Sequence, residues 1–229
     1  MQLTQIINET IRIGTTYPEY VVGSLMPLLP LAVGIYRLKY TSKSSKFLLF
    51  FIIFFILSDV PMWITAALKI NNLLYGHTRH FLICIFLLLT YFIGRKKKND
   101  KKILLSFLSI MIIVMFLEFF GIIENGQHKW LIGLLLGSVS VWYFVRLLDY
   151  PKIKDILSYP FFWFNSGILF YCFSTILIFF FFKFTIKVDV YKPTHFLFHK
   201  FLEYLTSVMF VLFAIGFWNL KKNAQIKNK

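Results

Sequence analysis

Carboxylates are scarce in this sequence. Its 229 residues carry 10 Asp and Glu against 25 Lys and Arg, and charged residues reach only 15% of the chain, where soluble domains average about 25%. Cysteine is nearly absent. Cys84 and Cys172 both fall inside apolar runs, which excludes a disulfide framework and reads as two small buried hydrophobes. A basic segment is missing ahead of the first apolar run, which begins about 20 residues in and contains Pro27 and Pro30, so that run reads as a retained span rather than a cleaved signal. Long polar linkers are missing too: the connections between apolar runs are short, and no soluble domain of useful size hangs from them. No internal repeat is evident.

What is present is apolar. Hydrophobic residues make up 58% and phenylalanine alone contributes 29, which excludes a water-soluble globule. Stretches of roughly 17–25 apolar residues read as membrane-spanning helices. Seven runs qualify: 20–36, 47–68, 80–94, 103–123, 130–148, 156–182 and 195–220. The third is short, because 15 residues reach only about 22 Å at 1.5 Å each, so its helix is expected to start before His80. The fold class is therefore all-α, a polytopic membrane protein with a bundle of seven transmembrane helices. Residues 1–19 form a short extracytoplasmic segment, 20–220 the transmembrane domain, and 221–229 a basic tail.

The formal charge of +15 would suggest a nucleic-acid partner in a soluble chain. Here it follows topology. Seventeen of the 25 basic residues lie in 37–46, 95–102, 146–154 and 221–229, and short cytoplasmic loops are enriched in Lys and Arg. Those loops are expected inside and the N-terminus outside, in a bacterial inner membrane. Membrane lipids are the expected partners, with no specific nucleic acid; a sensor with such short inner loops would also need a membrane or cytoplasmic signalling partner.

Charged groups in hydrocarbon are expensive, so their default reading is functional. Asp59, His80, Glu118 and Glu203 sit on four different runs, and helical rise places each about 20–25 Å from its basic edge. They are expected to form one polar layer in the outer half of the bilayer, a ligand- or ion-binding pocket to which Asn165 is added as a candidate; Asn165, about nine residues inside the sixth run, is also expected to hydrogen-bond to another helix. Asp59 also has Arg79 and His80 as candidate partners across a helix interface. Pro27, Pro30 and Pro61 are expected to interrupt helices and free backbone carbonyls, a device tolerated in membranes only where other groups re-satisfy the backbone. In the last run His195, His199 and Glu203 follow one another at i, i+4 spacing, on one helix face. Two imidazoles and a carboxylate in a row suit zinc, the alternative to a cofactor-free protein.

His195 with His199, and Ser58 with Asp59, give the chain a partial similarity to seven-span ceramidase and progestin-receptor-like metal hydrolases, although the second run has no histidine and the third no aspartate. That resemblance implies a metal-dependent hydrolase of lipid esters or amides. Over about residues 20–220, PLLPLAVGIYRLKY at 27–40, the SD pair at 58–59, YPFFWFNSGILFY at 159–171 and AIGFW at 214–218 resemble an uncharacterised group of small seven-span membrane proteins seen mainly in Bacteroidota. This second resemblance implies topology but no chemistry. The leading expectation is a non-enzymatic membrane protein that senses or transports a small ligand or ion; a structural or accessory membrane subunit is the third.

Overall fold

The computed structural model describes residues 2–95, 97–120, 122, 127–148, 155–186 and 192–221, without the side chains of 2, 3, 5, 73, 74, 119, 127, 128, 181–186 and 192–199. Its regular elements are helices, with no strand among the described residues. α1 runs over Gln2–Thr16, α2 over Pro18–Leu25, α3 over Leu28–Tyr36, α4 over Lys43–Ala67 and α5 over Leu73–Gly94. α6 follows over Lys98–Phe119, α7 over Gln127–Leu148, α8 over Pro160–Ile186 and α9 over Lys192–Trp218. Among the described residues six segments are long and apolar enough to cross a membrane: Pro18–Tyr36, Lys43–Ala67, Tyr75–Gly94, Lys129–Leu148, Pro160–Phe180 and Lys200–Trp218. Twenty helical residues extend about 30 Å, the thickness of a hydrocarbon core. The chain is accordingly a multi-pass membrane protein by the length and composition of its helices.

Local chemistry sets the helix ends. Pro18 and Pro160 open α2 and α8 at the first position, where a missing N–H costs nothing. Ser42 caps α4, its Oγ accepting the Ser45 N–H at 3.2 Å, a standard solution for orphan amides. At the other end of α4 the Lys69 amide reaches Ala66 O at 3.1 Å and the Ile70 amide reaches Thr65 O at 2.9 Å, with Lys69 at φ 57°. This is a Schellman closure with lysine in the left-handed position that glycine usually takes. Pro27 separates α2 from α3. The third crossing begins at Leu73, seven residues before the apolar run does, which gives α5 the length its apolar core lacks.

Within the segment read from sequence as extracytoplasmic, Gln2–Thr16 form helix α1, which packs on α4 and α2. Ile6, Thr10, Ile13 and Gly14 are partly covered while Ile7 and Ile11 remain exposed. The bundle interior is dense in aromatics: Phe51, Phe164, Phe210, Phe213 and Phe217 are fully buried. α8 and α9 pack tightly against each other: Phe164 lies on Gly216, where any Cβ would collide with the ring. Cys84 and Cys172 are each 1% exposed, buried as expected.

The helix ends sort into two groups. The Arg37 guanidinium, just after α3, lies 4.7 Å from the Tyr36 ring and 4.4 Å from Trp218 at the end of α9. Ser44 at the start of α4 donates to Thr90 O near the end of α5, 2.6 Å. Arg95, after α5, lies 4.5 Å over Tyr143 and 5.2 Å over Trp142 near the end of α7. Asn219 and Trp163 both donate to Leu157 O, before α8, at 3.3 and 2.7 Å. One end of the bundle thus gathers the described parts of the basic segments, and the opposite end carries the ion pairs described next.

A candidate ion and ligand site among buried charges

The first half of α5, with Tyr75, His77, Arg79 and His80, reaches three neighbouring helices at the end remote from the basic segments. Arg79 Nη2 forms an ion pair with Asp59 Oδ1 on α4, and Arg79 Nε donates to Ser58 Oγ at 2.9 Å. The Ser58 hydroxyl in turn donates to Phe55 O at 2.7 Å, and the Tyr75 hydroxyl to Ser58 O at 2.9 Å. The guanidinium also lies 4.5 Å over the Phe55 ring. Tyr75 and Arg79 are one turn apart, so one face of α5 clamps the SD pair of α4. The ionic side chains retain 18% and 16% exposure.

Helices α2 and α9 close the same region. Trp63 Nε1 donates to Ser24 Oγ at 3.1 Å, and Ser24 lies against the Asp59 carboxylate. Lys200 Nζ stands 3.2 Å from Glu19 Oε1, yet that buried oxygen receives no directed hydrogen bond; the contact is an ion pair held by charge without an aligned N–H. Glu203, one turn beyond Lys200, feels the charges of Asp59, Arg79 and Glu19. Its carboxylate packs onto Gly23 of α2, where a Cβ would collide with Oε2. Among the described residues no hydrogen bond or ion pair reaches this carboxylate.

The remaining layer residues find other partners. Glu118 Oε1 of α6 lies 3.4 Å from His77 Nδ1, and the Lys129 charge at the start of α7 acts on both. Lys129 Nζ also sits 4.9 Å from the Phe179 ring. His80 meets Tyr171 of α8, Nδ1 to Oη 3.2 Å, and its Nε2 lies 3.8 Å from Cys84 Sγ. Asp59 and Glu203 therefore share one cluster, while Glu118 and His80 belong to adjoining ones.

Asn165 stands apart, near the basic end. Its Oδ1 accepts from Tyr91 Oη and from Ser140 Oγ, the latter at 3.1 Å, and its Nδ2 donates to Ser140 O at 3.1 Å. Tyr91 and Ser140 oxygens are 2.6 Å apart. Asn165 is 1% exposed and Ser140 fully buried, so this network ties α5, α7 and α8 together through groups that satisfy one another. The side chains of His195 and His199 lie outside the described residues, although the α9 backbone that carries them is described. Among the described residues no group of three or more His, Cys, Asp or Glu side chains is placed to hold a metal ion.

Glu19, His77, Lys129 and Tyr91 have structural partners that no run of apolar residues announces. Glu19 precedes the first apolar run by one residue, and Lys129 precedes the fifth by one. Only the pairing of Arg79 with Asp59 has a sequence-level signal, two opposite charges near the same depth on consecutive runs. No family model, curated protein or solved structure matches the chain.

Proposed function

We propose that the chain is a seven-crossing protein of a bacterial inner membrane, N-terminus outside and C-terminus cytoplasmic, whose outer-half polar pocket senses or transports a small ligand or ion. Support for the seventh crossing comes from α6. At one end Asp100 lies 3.8 Å from Arg95, and at the other Glu118 lies 3.4 Å from His77. α6 therefore runs antiparallel to α5 over the same depth, with 15 uncharged residues, 13 of them apolar, between Lys102 and Glu118. The orientation rests on the basic segments at one end of the bundle, the side that is cytoplasmic by the charge rule.

The observation that carries the functional reading is the charged cluster on four helices: Glu19 of α2, Asp59 of α4, Arg79 of α5, and Lys200 with Glu203 of α9. Ion pairs are costly inside a bilayer, and a bundle needing only adhesion gains as much from apolar contacts. The pocket is tested by reconstituting the purified chain in liposomes and imposing proton, sodium and potassium gradients. Wild type is expected to give a cation-dependent flux or tryptophan response that Asp59→Asn and Glu118→Gln abolish while inserting normally. Full response in both variants, or none in wild type, would overturn the reading.

A further inference from the structure

At the end of the bundle opposite the charged cluster, and independently of how that cluster works, we infer that Arg37 seats the phosphate of an anionic phospholipid headgroup where the ends of α3 and α9 meet. Depth points there first. Two of the long apolar segments end on Tyr36 and on Trp218, and both rings are open, 69% and 57% exposed. Aromatic side chains so placed mark the border between hydrocarbon and headgroups. Arg37 directly follows Tyr36, so its guanidinium lies at the level of lipid phosphates. On the span side, Ile35 is 59% exposed beside Tyr36 and offers apolar surface to acyl chains.

Charge and geometry point to the same place. Of the three half-buried arginines described, Arg79 has Asp59 and Arg95 has Asp100. Arg37 has no carboxylate, and no oxygen of the described residues accepts from its guanidinium, the enclosed Nε included. The described carboxylates of this end are engaged elsewhere, Asp100 with Arg95 at 3.8 Å and Asp155 Oδ1 with the Leu157 N–H at 3.1 Å. Two rings hold the cation instead: Tyr36 at 4.7 Å and Trp218 at 4.4 Å, themselves stacked with planes 20° from parallel. Rings attract the face of a guanidinium and leave its N–H edge to donate. With Nε enclosed, the two Nη groups are the donors left for a ligand, and a pair of phosphate oxygens matches them. The rings set the plane before the ligand arrives, which lowers the cost of binding. Lys39, two residues on, and Lys221, three after Trp218, are exposed and have no carboxylate among the described residues. A basic pocket between helix ends at this depth is the kind of site that takes anionic headgroups.

The experiment is thermal unfolding of the full chain in a neutral detergent at constant ionic strength, with phosphatidylglycerol, phosphatidylcholine or inorganic phosphate added. Phosphatidylglycerol should raise the wild-type midpoint saturably, by about 5–10 °C near a hundredfold excess over Kd. Phosphatidylcholine, whose choline cancels the phosphate charge, and inorganic phosphate, which has no acyl chains, should each give far less. Arg37→Gln should raise the phosphatidylglycerol concentration for half the effect about tenfold or more, as loss of a charge-assisted hydrogen bond implies. Arg37→Lys keeps the charge without the planar fork and should fall between. Lys98→Gln removes one exposed charge from the start of α6 at the same end and should keep the wild-type value. Each variant's midpoint without lipid is its own baseline; should Arg37→Gln not fold, Arg37→Lys set against Lys98→Gln still decides. Equal losses in the Arg37 and Lys98 variants would make the attraction diffuse and overturn the site. An equal rise with phosphatidylcholine, or none with phosphatidylglycerol, would overturn it too, and the full rise with inorganic phosphate would overturn the lipid as its occupant.

Discussion

Replacing Arg79 by Met strips Asp59 of its counter-charge and Ser58 Oγ of an N–H donor while keeping most of the side-chain volume. Breaking a buried pair by removing one partner costs about 3–5 kcal/mol. The pair keeps 18% and 16% exposure, so the low end applies, about 3 kcal/mol. At roughly 2–4 °C per kcal/mol for a chain of this size, the unfolding midpoint in detergent should fall by about 6–12 °C. The double variant Arg79→Met with Asp59→Leu removes both charges and should recover most of that loss, because an apolar pair of similar volume is often as stable as the ion pair it replaces. The assay is a double-mutant cycle on thermal midpoints with detergent and salt held fixed. Losses that simply add, leaving the double variant at least as unstable as Arg79→Met, would refute the argument that the pair is coupled within the bundle.

Two further predictions concern stability away from the charged cluster. Lys69→Gly should raise the midpoint, since the left-handed position at the end of α4 costs a side-chain-bearing residue about 1–2 kcal/mol; an unchanged or lower midpoint would contradict that closure. Tyr91→Phe keeps the ring but removes a hydroxyl from the network around Asn165, and should cost about 1–3 kcal/mol by leaving buried acceptors short of a donor. The liposome response should be untouched by Tyr91→Phe, and its loss would place Asn165 and its partners in the functional machinery instead.

Hydropathy alone located the bundle, because six of the seven apolar runs coincide with helices that are long and apolar enough to span. It failed where polar residues are helical for reasons of pairing. Leu73–Arg79 mixes Tyr75, His77 and Arg79 into the start of α5, and each of these three has a partner on α4 or α6 that a hydropathy window does not see. α1 has no long apolar run, and its helicity is legible only in the spacing of Ile6, Thr10 and Ile13.

Depth arithmetic likewise placed Asp59, His80, Glu118 and Glu203 at similar heights without saying which way each faces. Rotation about the helix axis decides that Glu118 meets His77, that His80 meets Tyr171, and that only Glu203 turns toward Asp59. Asn165 shows the converse. It lies early in its helix and therefore near the basic end, where it hydrogen-bonds to other helices through Tyr91 and Ser140, as its place inside an apolar run led one to expect. The Glu19–Lys200 pair joins residues far apart in sequence, one at the very start of its helix, and nothing local marks either as half of a pair.

The central claim is an outer-half pocket open to the outside, opposite a cytoplasmic basic end. Its most direct test is labelling of introduced cysteines in intact cells by a membrane-impermeant maleimide, with wild type, whose Cys84 and Cys172 are buried, as the blank. Ser24→Cys should be labelled from outside, and faster than Lys43→Cys, which is exposed at the basic end at the start of α4 and should react only after the membrane is permeabilised. Labelling of Lys43→Cys from outside would contradict the orientation, and a Ser24→Cys that stays unlabelled until the protein is unfolded would contradict the pocket.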